Sequence, residues 1–258
     1  MKSEYGQRVS RGDVHSMGKK QQKQIPLINK ENCIIYLCRI ISSCELCMDI
    51  YKIYNGETEK ILEQYKGKEK IPHEIYAGLS DKTGHVMCYL LNLLGDCQTS
   101  SISYFKYRKQ VQKNINKGNE ELKLNNLDRD VDEALSEFNK LRNWQNHVPE
   151  SLLISEVDMI KKGNAVLPTN PMRIIHYNYV SYEYFLDLYQ SNIRFYAGAR
   201  KVIQAAKKDY ALLQGESVSY PRVYSDAPIS VTGFRAAKMS AKVQGLQGDY
   251  SDIYEADD

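Results

Sequence analysis

Proline limits the local structure of this chain more than any other residue, because each one removes a backbone donor and stops helix propagation. Only seven occur in 258 residues, Pro26, Pro72, Pro149, Pro168, Pro171, Pro221 and Pro228. The stretches between them are long enough for substantial helices, and their apolar residues recur at three- and four-residue steps. Over residues 29–55 the stripe is Cys33, Leu37, Ile40, Cys44, Cys47 and Tyr51, and Asn55-Gly56 supplies a stop signal. A short amphipathic piece follows at 58–65. Ser80-Asp81 reads as the cap of a second helix carrying Val86, Leu90, Leu93 and Leu94, which pauses near Gly95 and resumes through Ile102, Phe105 and Val111 to about Asn116.

The clearest amphipathic stretch has Leu127, Val131, Ala134, Leu135, Phe138 and Leu141 on one stripe, with Asp128, Asp130, Asp132 and Glu133 in its first turn. It should end before Pro149, since Val148 is disfavoured in helical geometry. A shorter helix over 149–162 uses Pro149 as its first residue and Gly163 as its end. The last helix spans about 174–214, with Tyr177, Val180, Tyr184, Leu188, Phe195, Val202, Ala206 and Leu213 near one face and Gly198 at a close helix contact. Strand patterning is confined to short pieces near 218–231. These periods predict an all-α protein, an antiparallel helical bundle of four to five main helices with flexible or irregular tails.

Charge divides the chain further. Residues 1–30 carry seven Lys/Arg against Glu4 and Asp13, giving +5, whereas residues 215–258 carry four against seven acids, giving −3. Both ends are poor in large apolar residues, so a polar basic leader at 1–25, a helical domain at 26–215 and an irregular acidic tail at 216–258 are expected. The net charge of +3 does not fit a basic nucleic-acid coat. No apolar run approaches the roughly 20 residues of a membrane helix, and none follows Met1-Lys2 as a secretory signal would. An intracellular, cytoplasmic protein is expected, with its six cysteines as reduced thiols.

Metal chemistry finds little support in the spacing. Cys33, Cys38, Cys44 and Cys47 on one helix would spread over roughly 20 Å at about 1.5 Å per residue, too far for one tetrahedron. His85 and Cys88 share a helical face without a third ligand, and His73 and His176 have no paired nucleophile nearby in sequence. No metal or cofactor is expected. The aromatic series Tyr177, Tyr179, Tyr182, Tyr184 and Tyr189 covers nearly every helical face, which favours core and dimer contacts over RNA stacking.

One segment carries chemistry: Arg142, Asn143, Trp144, Gln145, Asn146 and His147, at the end of the clearest helix. A histidine moves protons near neutral pH, and an arginine offers a permanently charged fork to a phosphate. Five positions of straight helix separate the two side chains by about 140°, so they converge only where the helix ends or across a two-fold axis. Their other reading is a helix C-terminus, where Arg and His favour the negative end of the dipole. Trp144, the single tryptophan, is either an interface wedge or the last core contact of its helix.

This hexapeptide resembles the RNxxxH motif of the HEPN superfamily, all-helical proteins in which an Arg, often followed directly by Asn, Asp or His, is separated from a His by four to six intervening residues. The resemblance implies a metal-independent endoribonuclease whose composite site forms across a homodimer, cutting RNA by attack of its own 2′-hydroxyl. Arg142 and His147 would be catalytic and Asn143 would orient them. It also implies a toxin or antiphage role, with an antitoxin or nucleotidyltransferase as a possible partner. The alternative is a non-catalytic helical interaction module that binds a protein partner or a nucleotide.

Overall fold

The computed structural model describes residues 25–99, 101–146, 150–163, 176–224 and 226. Among them are six helices, α1 (Lys30–Gln64), α2 (His73–Gly95), α3 (Tyr104–Ile115), α4 (Arg129–Asn146), α5 (Glu150–Lys161) and α6 (Tyr182–Gln214), and two three-residue strands, β1 (Lys70–Pro72) and β2 (Tyr179–Ser181). The protein is all-α. One compact unit is Ile25–Arg222; residues 1–24 of the basic leader, and 225 and 227–258 of the acidic tail, lie outside the described residues.

Four helices build the bundle. α1 packs on α2 and α6, α2 on α4, and α4 on α6. Contacts along their lengths fix the directions. Tyr51 of α1 bonds Asn192 of α6, and Glu45 meets Lys207, so these helices run antiparallel. α4 runs against α6, with Asp130 near Lys201 and Phe138 near Gly198. The main core joins Leu37, Ile40 and Cys44 of α1 to Leu90 and Leu94 of α2, Leu135 and Phe138 of α4, and Val202 and Ile203 of α6.

α1 begins where Asn29 Oδ1 accepts from the Asn32 amide at 2.9 Å, and it does not stop at Asn55-Gly56 as the sequence implied. Tyr51, Asn55, Thr58 and Leu62 are all buried, continuing one stripe across that step. Their packing outweighs the roughly 1 kcal/mol that a helical glycine costs. Ser80-Asp81 likewise lies inside α2, which starts directly after Pro72; the buried Leu79 and Thr83 carry the stripe through it.

The expected start of the last helix near residue 174 is corrected, because β2 precedes α6. Lys70 pairs with Ser181, Ile71 with Val180 and Pro72 with Tyr179, antiparallel. The ladder is too short to show a period of two, so no strand signal marked it. A small second core of Leu62, Ile71, Leu79 and Phe185 lies at this end of the bundle. Phe185, not Tyr184, is the buried residue there; Tyr177 and Tyr184 are exposed, against their expected place on the core face. The strand pieces expected near 218–231 are absent from the described part, 218–224.

Two polar assemblies tie the bundle together. Asp209 of α6, fully buried, accepts from Tyr104 Oη at 2.7 Å, Arg108 at 2.8 Å and the Asn125 amide at 2.9 Å. That carboxylate therefore fastens α3 and the segment before α4 to α6. Beyond the left-handed Gly215, the chain folds back on the same helix. Tyr220 reaches the Lys207 carbonyl, and Arg222 binds Glu45 at 3.0 Å and Asp49 at 2.5 Å.

α2 and α4 approach closely at Gly95. A Cβ on Gly95 would stand 2.6 Å from the Phe138 carbonyl carbon and 2.7 Å from the Asn139 nitrogen. Only glycine fits there. At Gly198 a Cβ would meet the Phe138 ring at 3.3 Å, the close contact expected of it.

Gly95→Ala should therefore push the two backbones apart and cost about 1–3 kcal/mol. Gly84→Ala, in the same helix with nothing within 4 Å, should stabilise by about 0.5–1 kcal/mol. Urea unfolding of the two variants gives both signs. Burial alone would raise the Glu45 carboxyl, but Lys207 and Arg222 outweigh it and hold it below the ordinary carboxylate range. Its contribution is complete above that range and is lost as pH falls through the depressed value. Glu45→Gln should flatten this acid limb of the stability profile in thermal melts.

Candidate functional site

Arg142 lies one turn before the end of α4 at Asn146, and the helix period explains its burial. Val131, Leu135 and Phe138 face the core at steps of four and three residues, and Arg142 is the next position on that face. It is 7% exposed, while Leu141, expected on the core stripe, is 38% exposed. A buried guanidinium is stable only when paired and hydrogen-bonded. Nη2 meets Asp96 Oδ2 at 3.1 Å, Nε meets Asn92 Oδ1 at 3.3 Å, and Nη1 meets Asn143 Oδ1 at 3.3 Å.

Asp96 is positioned by the close contact described above. It follows Gly95 at the end of α2, and the Asn139 side-chain Nδ2 donates to the Gly95 carbonyl at 2.6 Å. The same carboxylate accepts from the Gln98 amide at 2.9 Å, and the Asp96 carbonyl accepts from Ser103 Oγ. Lys106, the neighbouring cation, donates to the carbonyls of Thr99 at 2.5 Å and Ser101 at 2.8 Å. Burial lowers the pKa of its ammonium, and the Asp96 charge opposes that shift.

The assembly opens to solvent. A cleft of about 540 Å³ is bounded by α2, the α2–α3 connection and α4, with Arg142, Asp96 and Asn92 among its lining. Three of the five N–H groups of a guanidinium are used by the neighbours above. The other two have no partner among the described residues, and a guanidinium with unpaired N–H groups on a cleft wall has the planar fork that suits a phosphate.

Of the three residues expected to act, the fold brings together Arg142 and Asn143, one accepting from the other. His147 lies outside the described residues. Arg142 does not cap its helix: its guanidinium turns to α2, where Asp96 takes it. Trp144 is 57% exposed, which overturns its reading as a last core contact. Asp96, Asn92 and the exposed Tyr89 were not anticipated. A 3–4 continuation of the stripe to Arg142 was the available signal that a buried acid had to exist elsewhere.

Other candidates behave as packing. Cys33, Cys44 and Cys47 are buried and Cys38 is exposed, so the four sulfurs diverge. Burial pushes the Cys33 thiol up to about 11, away from a thiolate. His85 Nδ1 contacts the Asp81 carbonyl at 3.1 Å, a local helix interaction. Among the aromatics, Tyr76 and Tyr184 lie ring to ring at 5.5 Å.

Against known proteins, the chain matches no family model, no curated protein and no solved structure. The six motif residues and the geometry around Arg142 therefore carry the functional argument.

Removing one partner of a buried ion pair strands the other. Arg142→Gln should cost about 3–5 kcal/mol, and adding Asp96→Asn should recover part of that loss. A double-mutant cycle by urea unfolding should give a coupling of about 0.5–3 kcal/mol; additive losses would mean that the pair does not act as a unit.

Proposed function

We propose that the protein is a metal-independent endoribonuclease of HEPN type, acting as a homodimer whose composite site joins two copies of the Arg142 and His147 motif. The observation that carries this is the arginine itself: held by three partners near the end of a bundle helix, with two N–H groups unpaired among the described residues, and lining an open cleft. Preorganised donors of this kind act on charge that develops during reaction.

In the proposed reaction, the RNA 2′-oxygen attacks the adjacent phosphorus as His147 takes its proton. The bond from phosphorus to the 5′-oxygen breaks, a proton passes to that oxygen, and a 2′,3′-cyclic phosphate and a 5′-hydroxyl end result. Arg142 steadies the extra charge on the phosphoryl oxygens, and Asn143 holds the Arg142 fork in place.

Exposed apolar side chains support self-association. Leu141 and Trp144 lie beside the motif, and Leu153, Ile154, Val157 and Met159 of α5 are also exposed. An antitoxin or nucleotidyltransferase covering the same surface fits a toxin or antiphage setting.

A second reading is favoured by the Arg142–Asp96 contact: the motif residue serves stability, and the bundle is an interaction module for a protein or nucleotide. Cleavage of RNA in EDTA separates the two. His147→Ala and Arg142→Lys, checked for folding by circular dichroism, should each lose about 100-fold or more of the wild-type rate. Equal rates in all three proteins, or no cleavage by any of them, would leave the interaction module.

A further inference from the structure

The cleft beside Arg142 has a wall that the charge alone does not explain. Tyr89 stands six residues before the end of α2, 48% exposed, and borders the cleft together with Leu93 and Ile102. Its ring stacks on no other ring among the described residues, unlike Tyr36 and Tyr107, which stack on one another with centroids 6.0 Å apart. On the rim, Gln98 is exposed and its backbone amide is spent on Asp96. Its side-chain amide offers one donor group and one acceptor.

We propose that this cleft seats one unpaired nucleobase of single-stranded RNA, stacked on the face of Tyr89, beside the phosphate that Arg142 contacts. The inference deepens the ribonuclease reading, since it takes Arg142 as phosphate-facing.

The chemistry selects a base over other flat ligands. A planar π-face is what an exposed tyrosine ring holds best. The amide of Gln98 answers the mixed donor and acceptor edge that every base carries. Arg142, neutralised by Asp96, offers N–H donors to the adjacent phosphate. The volume of 540 Å³ falls within the roughly 300–1,000 Å³ of small-molecule pockets. A duplex keeps its bases stacked and paired and has none to insert; a single strand splays them out. The substrate class is therefore a single-stranded segment, with Tyr89 as a binding residue.

The test uses the full chain and a short fluorescein-labelled single-stranded oligoribonucleotide with 2′-fluoro sugars, which lacks the attacking hydroxyl and cannot be cut. Binding is read by anisotropy, with circular dichroism confirming that each variant is folded. Tyr89→Ala should weaken binding about tenfold or more, Tyr89→Phe should preserve it, and a duplex of the same sequence should bind more weakly than the single strand. Wild-type affinity in Tyr89→Ala, an equal loss in Tyr89→Phe, no preference for the single strand, or no binding by the wild type would each overturn the site. Cleavage of unmodified RNA is measured separately. A protein that binds the probe through Tyr89 but leaves RNA intact keeps this site and removes the ribonuclease. One that cleaves RNA while Tyr89→Ala binds the probe like the wild type keeps the ribonuclease and removes this site.

Discussion

The ion pair between Arg142 and Asp96 depends on an absence, the missing side chain of Gly95. A guanidinium at 7% exposure requires a partner charge within hydrogen-bond reach, and that partner stands on another helix. α2 delivers Asp96 only because its backbone approaches Phe138 and Asn139 more closely than any Cβ would permit. The Asn139 side chain then fixes the separation by donating from Nδ2 to the Gly95 carbonyl. Close packing, buried charge and the opening of the cleft are thus consequences of one contact. They cannot be altered independently, since widening the gap weakens the pair that makes the burial of Arg142 tolerable.

The protein contains the same chemistry a second time, with a different outcome. Asp209 binds Arg108, Tyr104 and Asn125, and no part of it reaches solvent. Both oxygens are occupied, and Arg108 spends a further donor on the Asn125 carbonyl at 2.9 Å. That network closes on itself and fastens α3 to α6. Around Arg142 the network is left open on one side, where the cleft begins. Saturation separates a structural cluster from a candidate site here, because only unspent donors can act on a ligand.

Periodicity made most of the architecture legible. The stripes of α1, α4 and α6 follow from Cys33, Leu37 and Ile40, from Val131, Leu135 and Phe138, and from Val202, Ala206 and Leu213, all of them buried. Punctuation was less dependable. Asn55-Gly56 and Ser80-Asp81 are good local stop and start signals, worth about 1 kcal/mol each, and tertiary packing of Thr58, Leu62, Leu79 and Thr83 overrides them. The β1–β2 ladder left no trace, since three residues cannot display alternation. In the site, the motif pointed to Arg142 and Asn143, but Asp96 and Asn92 are about fifty positions away and meet Arg142 only through the fold. No local pattern encodes a partner at that distance.

The Asp96 pairing also shapes how the proposed chemistry would divide its energy. Arg142 and Asp96 together are neutral, so a phosphate monoanion entering the cleft gains little from the guanidinium that Asp96 does not already take. Ground-state affinity must then come from elsewhere, and the exposed Tyr89 face is the neutral surface at hand. As the phosphoryl group acquires further negative charge during attack, it competes better for the two spare N–H groups, and the interaction strengthens with progress along the reaction. Binding that grows towards the transition state raises turnover, whereas equal binding throughout does not. Under the proposed chemistry, the carboxylate that stabilises the fold would also keep the arginine from holding substrate too tightly. Stacking would set affinity and Arg142 would set rate.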